Sequence, residues 1–221
     1  MGRIRMETTM AVLGQRGPLS DSSMSIDLTA IIRQQLDAEA VLQLPNTLND
    51  DKELVRTMRQ LNVAAYGKIR GNTNSVRWSW DKYTRPADST VIQRIWNDGE
   101  PVDISGPICS LYLSQQQCHV SSFFRVTYVA DDLSIQNLLR SALKRLYTIV
   151  NRDSEDIRII YAPDSAYLES RITDEYQQPF CELFHWASLQ FGTPLTDIKS
   201  MVVERDDGRY DLRGYVVATL E

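Results

Sequence analysis

Residues 108–149 read ICSLYLSQQQCHVSSFFRVTYVADDLSIQNLLRSALKRLYTI, and the change of rhythm inside this run decides the fold class. Ile108–Leu113 and Val120–Val129 are rich in β-branched and aromatic residues and are parted by Gln115, Gln116 and Gln117, the composition of two paired strands. From Asp131 or Asp132, either of which can cap a helix, the pattern turns helical. Ile135, Leu138, Leu139, Ala142, Leu143, Leu146 and Ile149 then fall on one broad face. Strands followed by a helix with one apolar face predict a sheet with that helix laid over it.

Working toward the C-terminus, Ile157–Tyr161 is a short apolar run bounded by Asp156 and Ala162-Pro163-Asp164, which predicts a buried strand. Pro179 opens a second covering helix carrying Phe180, Leu183, Phe184, Ala187 and Phe191, with Gly192 just past its end. Thr193 before Pro194 predicts the start of a short helical turn, and Met201–Glu204 and Tyr210–Ala218 flank the hairpin signal Asp207-Gly208.

Working toward the N-terminus, Ser89 caps a short helix with Val91, Ile92, Ile95 and Trp96, ended by Asn97-Asp98-Gly99. Val76, Trp78 and Trp80 alternate with Arg77, Ser79 and Asp81 as in a short strand. Leu54, Met58, Leu61, Ala65 and Ile69 predict a helix that Asn49 or Asp50 caps and Gly71 ends. Leu28, Ile32, Leu36 and Ala40, flanked by Ile31 and Val41, predict another, closed by Pro45. The expected architecture is α+β: an N-terminal helical hairpin packed on or beside a mixed, partly antiparallel sheet, which two main helices cover on one face.

Residues 1–24, with Gly2, Gly14, Gly17, Pro18 and the polar run Ser20–Ser23, read as a flexible polar arm that leaves Arg3, Arg5 and Arg16 available to touch a partner. Residues 25–221 are expected to form one domain, helical over 25–100 and sheet-containing over 101–221. A 43% hydrophobic content supports a packed core, and a net charge of -5 argues against a protein that coats nucleic acid indiscriminately. Cys109, Cys118 and Cys181 are odd in number and widely spaced, so reduced thiols and a cytoplasmic location are expected. No apolar run approaches the roughly 20 residues that span a bilayer. Gly2 suits myristoylation, but Met6 stands where Ser or Thr is required.

Charge concentrates in one place. From Tyr66 to Arg85, Lys68, Arg70, Arg77, Lys82 and Arg85 face the single acid Asp81, a net of +4 that leaves -9 for the rest of the chain. Tyr66, Trp78, Trp80 and Tyr83 interleave with these cations. Cations beside aromatic rings suit single-stranded RNA, where phosphates are neutralised and bases stack, and equally suit an anionic membrane surface. The competing reading makes Trp78 and Trp80 core residues of one strand face, with Arg77 on the solvated face.

Catalytic patterns are sparse. Cys181 and His185 lie four apart on one helix, and Cys118 precedes His119, so with Cys109 they offer zinc ligands or a thiol–imidazole pair. No Cys-x-x-Cys accompanies them and no third group is marked to orient the imidazole, which favours buried, metal-free cysteines. The carboxylates at Asp131-Asp132, Asp153–Asp156 and Asp206-Asp207 sit at expected turns and caps. No P-loop, Gly-x-Gly-x-x-Gly, Gly-x-Ser-x-Gly or His-Glu-x-x-His is present, and no cofactor is implied.

The run from Phe123 through the helix at Ser134–Tyr147 to Ile157-Arg158-Ile159-Ile160 resembles the strand, helix, strand order of matrix proteins of non-segmented negative-strand RNA viruses. It covers under a fifth of the chain, carries over no residue roles, and the acidic total departs from the basic character of that family. The expectation is a non-enzymatic structural or assembly protein, matrix- or capsid-like, that self-associates and meets an anionic partner. A single-stranded RNA-binding module using residues 66–85 is the alternative, and an enzyme of unrecognised type the third.

Overall fold

The computed structural model describes residues 27–66, 77–83, 85–151, 158–164, 180–206 and 210–219. The chain enters as a strand. β1 (Asp27–Arg33) occupies the centre of a seven-stranded sheet with order β2-β3-β4-β5-β1-β6-β9. The other strands of that sheet are β2 (Ser79–Trp80), β3 (Val102–Ser105), β4 (Cys109–Leu113), β5 (Gln117–Arg125), β6 (Arg158–Asp164) and β9 (Val216–Thr219). β7 (Val202–Glu204) and β8 (Tyr210–Leu212) form a separate two-stranded ribbon.

The helix expected from Leu28 to Ala40 is therefore wrong over its first half. Leu28, Ala30 and Ile32 lie in one apolar cluster and Ile31 in another, on the opposite face of the sheet, so both faces of β1 are buried and no polar alternation shows. The four-residue spacing of Leu28, Ile32 and Leu36 is what misled. The helix begins only at α1 (Ala38–Asp50), where the Asp37 carboxylate accepts from the Ala40 amide at 2.8 Å. Pro45 lies inside it and does not close it: its missing N–H leaves the Val41 carbonyl without a helical donor, while its ring is buried.

α2 (Lys52–Tyr66) follows through the single residue Asp51, whose side chain caps it by accepting from the Leu54 amide at 2.8 Å. α3 (Ser89–Asn97) is capped by Asp88, one residue before the expected Ser89. β4 and β5 pair antiparallel, as their composition predicts, but the chain turns helical at Val126, so the expected strand to Val129 ends in α4 (Val126–Asp131). Asp132 then caps α5 (Leu133–Val150), and Ile135, Leu139, Ala142, Leu143 and Leu146 are all buried along the predicted face. α6 (Phe180–Phe191) ends at Gly192, which takes φ +80°.

The protein is thus α+β, with the helical pair α1–α2 following the first strand. All strand pairings in the large sheet are antiparallel, which replaces the mixed sheet expected. The main cluster joins α1, α2, α3 and α5 to the face of β1 that carries Leu28, Ala30 and Ile32. α6 covers the other face through Phe180, Leu183 and Ala187 against Ile31, Ile160 and Tyr215. The sheet is covered on both faces at its centre, not on one. The two covering helices, α5 and α6, sit on opposite sides.

Two smaller expectations also change. The strand Tyr210–Ala218 is broken by Gly214 at φ +68°, which divides β8 from β9. No helix starts at Thr193-Pro194; Leu195 bridges to Val216 and a 3-10 turn forms at Lys199–Met201. The β7–β8 pairing agrees with the hairpin signal, whose Asp207-Gly208 turn lies outside the described residues.

Helices α2 and α5 are locked at Asp51. Its Oδ2 accepts from the Arg145 guanidinium at 2.6 and 2.7 Å while Oδ1 serves the cap. Burial works against the charged carboxylate, but the Arg145 hydrogen bond and charge, with the Leu54 and Glu53 amides, hold its pKa below the unfolded value of 3.8. A depressed carboxylate contributes stability that is complete above that value and is lost as acid protonates it. Asp51→Ala should cost about 1–2 kcal/mol, read as a lower urea midpoint at unchanged slope. The difference from the parent should begin to shrink below about pH 4, where the carboxylate of the unfolded chain takes up its proton, and should vanish only below the lower value of the folded state.

Candidate anionic-partner interface

Within the basic, aromatic segment the structure separates two kinds of residue. Trp78 is 2% exposed and belongs to the core, so its ring offers no face to a partner. It is held from both sides of its backbone: Asn49 Nδ2 donates to the Trp78 carbonyl and Asn49 Oδ1 accepts the Trp78 amide, each at 2.8 Å. Its ring lies on Gly106, where a Cβ would meet Cε3 at 2.6 Å. Trp80 is half-buried against the same core. These two tryptophans share an inward face, as their alternation predicts.

Beyond this anchor the chain is exposed. Arg77, Lys82 and Arg85 are exposed, and Tyr83 is 83% exposed. Asp81 shapes the turn by accepting the Tyr83 amide at 2.8 Å, while its own amide donates to the Asp103 carbonyl on β3 at 3.2 Å. The Lys82 ammonium stands 4.5 Å from the centre of the Tyr83 ring. Lys68 and Arg70, and the arm residues Arg3, Arg5 and Arg16, lie outside the described residues.

Cys118 and His119 do not assemble into a site. Cys118 points into the main core and His119, its neighbour on β5, into the opposite face, so the two cannot share a metal. Burial pushes the Cys118 thiol up to about 12 and, with the Cys118 charge, raises Cys109 as well. Both thiols stay protonated and weakly nucleophilic at neutral pH. Burial pushes His119 down to about 3, and its Nε2 lies 2.8 Å from Gln117 Oε1. Cys181 and His185 are both exposed on α6. Among the described residues no group of three potential metal ligands comes together.

On β3, Asp103 is raised to about 6 by burial first and by the Asp81 charge second. The β3–β4–β5 register places Asp103 opposite Tyr112 and Tyr112 opposite His119. Two strand spacings, about 9.6 Å, therefore separate Asp103 from His119, too far for an acid–base dyad. Asp132 is a helix cap and Asp206 an exposed turn residue.

A polar cleft of about 440 Å³ opens beside the β4–β5 turn, lined by Gln34, Gln35, Gln93, Gln115, Gln116 and Trp96 among others. Several of its polar groups already serve the fold. Gln34 donates to the Ser114 carbonyl and accepts the Leu36 amide, Gln93 donates to Asn97, and Trp96 Nε1 donates to the Leu113 carbonyl. The cleft reads as a packing seam closed by amides. Sequence reasoning gave Gln115 and Gln116 only the role of parting two strands and did not single out Gln34, Gln35 or Gln93, because nothing in their spacing marks them.

No protein-family model, curated protein or solved structure matches this chain. Its surface chemistry therefore rests on the residues themselves. Thiol titration gives a direct check: in the native protein Cys181 should react promptly with a disulfide reagent, and Cys109 and Cys118 only after denaturation. Gly106→Ala should displace the Trp78 ring, altering tryptophan fluorescence and costing about 1–3 kcal/mol.

Proposed function

We propose that this chain is a non-enzymatic structural or assembly protein, of the matrix or capsid kind, that contacts an anionic partner through an exposed cationic turn. The observation that carries the reading is the Tyr83 turn: one exposed ring beside Lys82, flanked by Arg77 and Arg85, and anchored to the core through Trp78 and Asn49. A rigid base under an exposed, rotamer-poor aromatic lowers the ordering cost of binding. The buried thiols and the neutral, buried His119 support a binding role over chemistry.

Single-stranded RNA is the less favoured partner. Base stacking along a strand uses successive exposed rings, and burial of Trp78 and half-burial of Trp80 leave Tyr83 alone on this turn. Self-association is part of the reading, with the exposed Leu189 on α6 as an apolar contact for a second copy.

Light scattering on the purified protein, with and without phosphatidylserine vesicles or poly(U) RNA, at low and high salt, tests this reading. The expected result is assembly that the anionic ligand promotes and salt suppresses. Lys82→Glu with Arg85→Glu should weaken ligand binding several-fold without changing the melting temperature. A monomer indifferent to both ligands would sink the proposal.

A further inference from the structure

We propose that the outer face of the α2–α5 helix pair is a docking surface for an anionic lipid bilayer. This rests on the assembly reading above and deepens it by naming the partner and a second face, besides the Tyr83 turn, that meets it.

Together the two helices carry Lys52, Arg56, Arg59, Arg140, Lys144 and Arg145 against the single acid Glu53, a net of +5 within a chain of net charge -5. Their use differs. Arg145 is taken up by Asp51 and also feels Glu53, and Arg140 donates to the Thr219 carbonyl at 2.9 Å. Lys52, Arg56, Arg59 and Lys144 are exposed, and none forms an ion pair with a described residue. On α2 the spacing from Lys52 to Arg56 and on to Arg59 and Val63 is four, three and four residues, a single stripe along the helix. Asp50, at the helix junction, marks its edge.

Apolar groups complete the face. Val63 is 47% exposed and Leu133 is 74% exposed, two of the four large hydrophobic residues that stand out from the described surface. The Asp51–Arg145 pair puts the start of α2 beside the last third of α5, and α2 packs along α5 from there, so the helices run antiparallel. Val63 and Leu133 consequently fall at the same end of the pair.

That combination fits a bilayer better than a nucleic acid. Cations gain attraction from anionic headgroups, about fivefold in partitioning for each, while exposed apolar side chains gain by entering the interfacial layer. Against a phosphate backbone Val63 and Leu133 would gain nothing, and among the described side chains of the stripe no aromatic ring stands for a base to stack on.

The test uses the full chain and flotation with phosphatidylserine-containing or pure phosphatidylcholine vesicles. Arg56→Glu with Arg59→Glu should reduce partitioning onto the anionic vesicles at least about 25-fold, and Val63→Ser with Leu133→Ser should leave a weaker binding that high salt abolishes. If the reversal variant fails to give the parental melting curve, Arg56→Gln with Arg59→Gln replaces it, with a loss of about 25-fold expected. Parental binding by a folded stripe variant overturns the proposal, and if Lys82→Glu with Arg85→Glu still weakens binding, the assembly reading survives it. A stripe variant that loses poly(U) binding but keeps vesicle binding also overturns it. Absence of vesicle binding by the parent protein overturns the docking surface, while retained salt-sensitive assembly with poly(U) would leave the assembly reading standing.

Discussion

The structure depends on burying β1 from both sides. Leu28, Ala30 and Ile32 seat the layer of α1, α2, α3 and α5, and Ile31 seats α6, so one seven-residue strand holds both helical layers to the sheet. Leu28, Ile31 and Ile32, fully buried, each contribute on the order of 1.5–3 kcal/mol. Ala30, Ile31 and Ile32 pair with β5 on one side and β6 on the other, while Leu28, at a register shift toward β5, pairs with Pro163 of β6. Because β1 comes from the start of the chain and its partners from the middle and the end, the pairing also ties distant parts of the sequence together. A polar substitution at Ile31 or Ile32 would place an unsatisfied group between two packed layers.

The same constraint explains which elements were legible. α5 was read from its periodicity because only one of its faces is buried; the exposed stripe of Asn137, Arg140, Ser141, Lys144 and Thr148 supplies the contrast that a periodic pattern needs. β1 has no solvated face, so Leu28-Thr29-Ala30-Ile31-Ile32 shows no alternation, and Leu36 and Ala40 extended it by accident into a helical spacing. The better signals were local: β-branched Thr29, Ile31 and Ile32 for the strand, and Asp37 as the cap of α1. Pro45 was given too much weight, since a helix with a buried face can tolerate one lost hydrogen bond. Coverage of the second face was hidden because α6 reads as amphipathic whichever side of a sheet it meets.

The candidate interface was legible in part. Alternation placed Trp78 and Trp80 inward, and composition drew attention to Arg77, Lys82, Tyr83 and Arg85, all of which are exposed. The helix-face cations were missed because Lys52, Arg56 and Arg59 are spread through an apolar pattern and form no run in the sequence. Lys144 lies farther away still, on α5. Only packing α2 against α5, with Asp51 neutralising Arg145, shows which of these charges are left over. Net charge was a poor guide for the same reason: acids cap helices and turns, as Asp37, Asp51, Asp88, Asp132 and Asp197 do, while Lys52, Arg56, Arg59 and Lys144 form no ion pair with a described residue.

The proposed docking rests on a sheet covered on both faces at its centre and an outer helix pair carrying spare cations beside exposed Val63 and Leu133. Amide hydrogen exchange on the whole chain, free and bound to phosphatidylserine-containing vesicles, tests that account most directly. Slowed exchange over residues 52–63 and 79–83, with the β4–β5 turn at Gln115–Gln117 unchanged, is the result it predicts. Slowing confined to α6 or to that turn, with residues 52–63 unaffected, would contradict it.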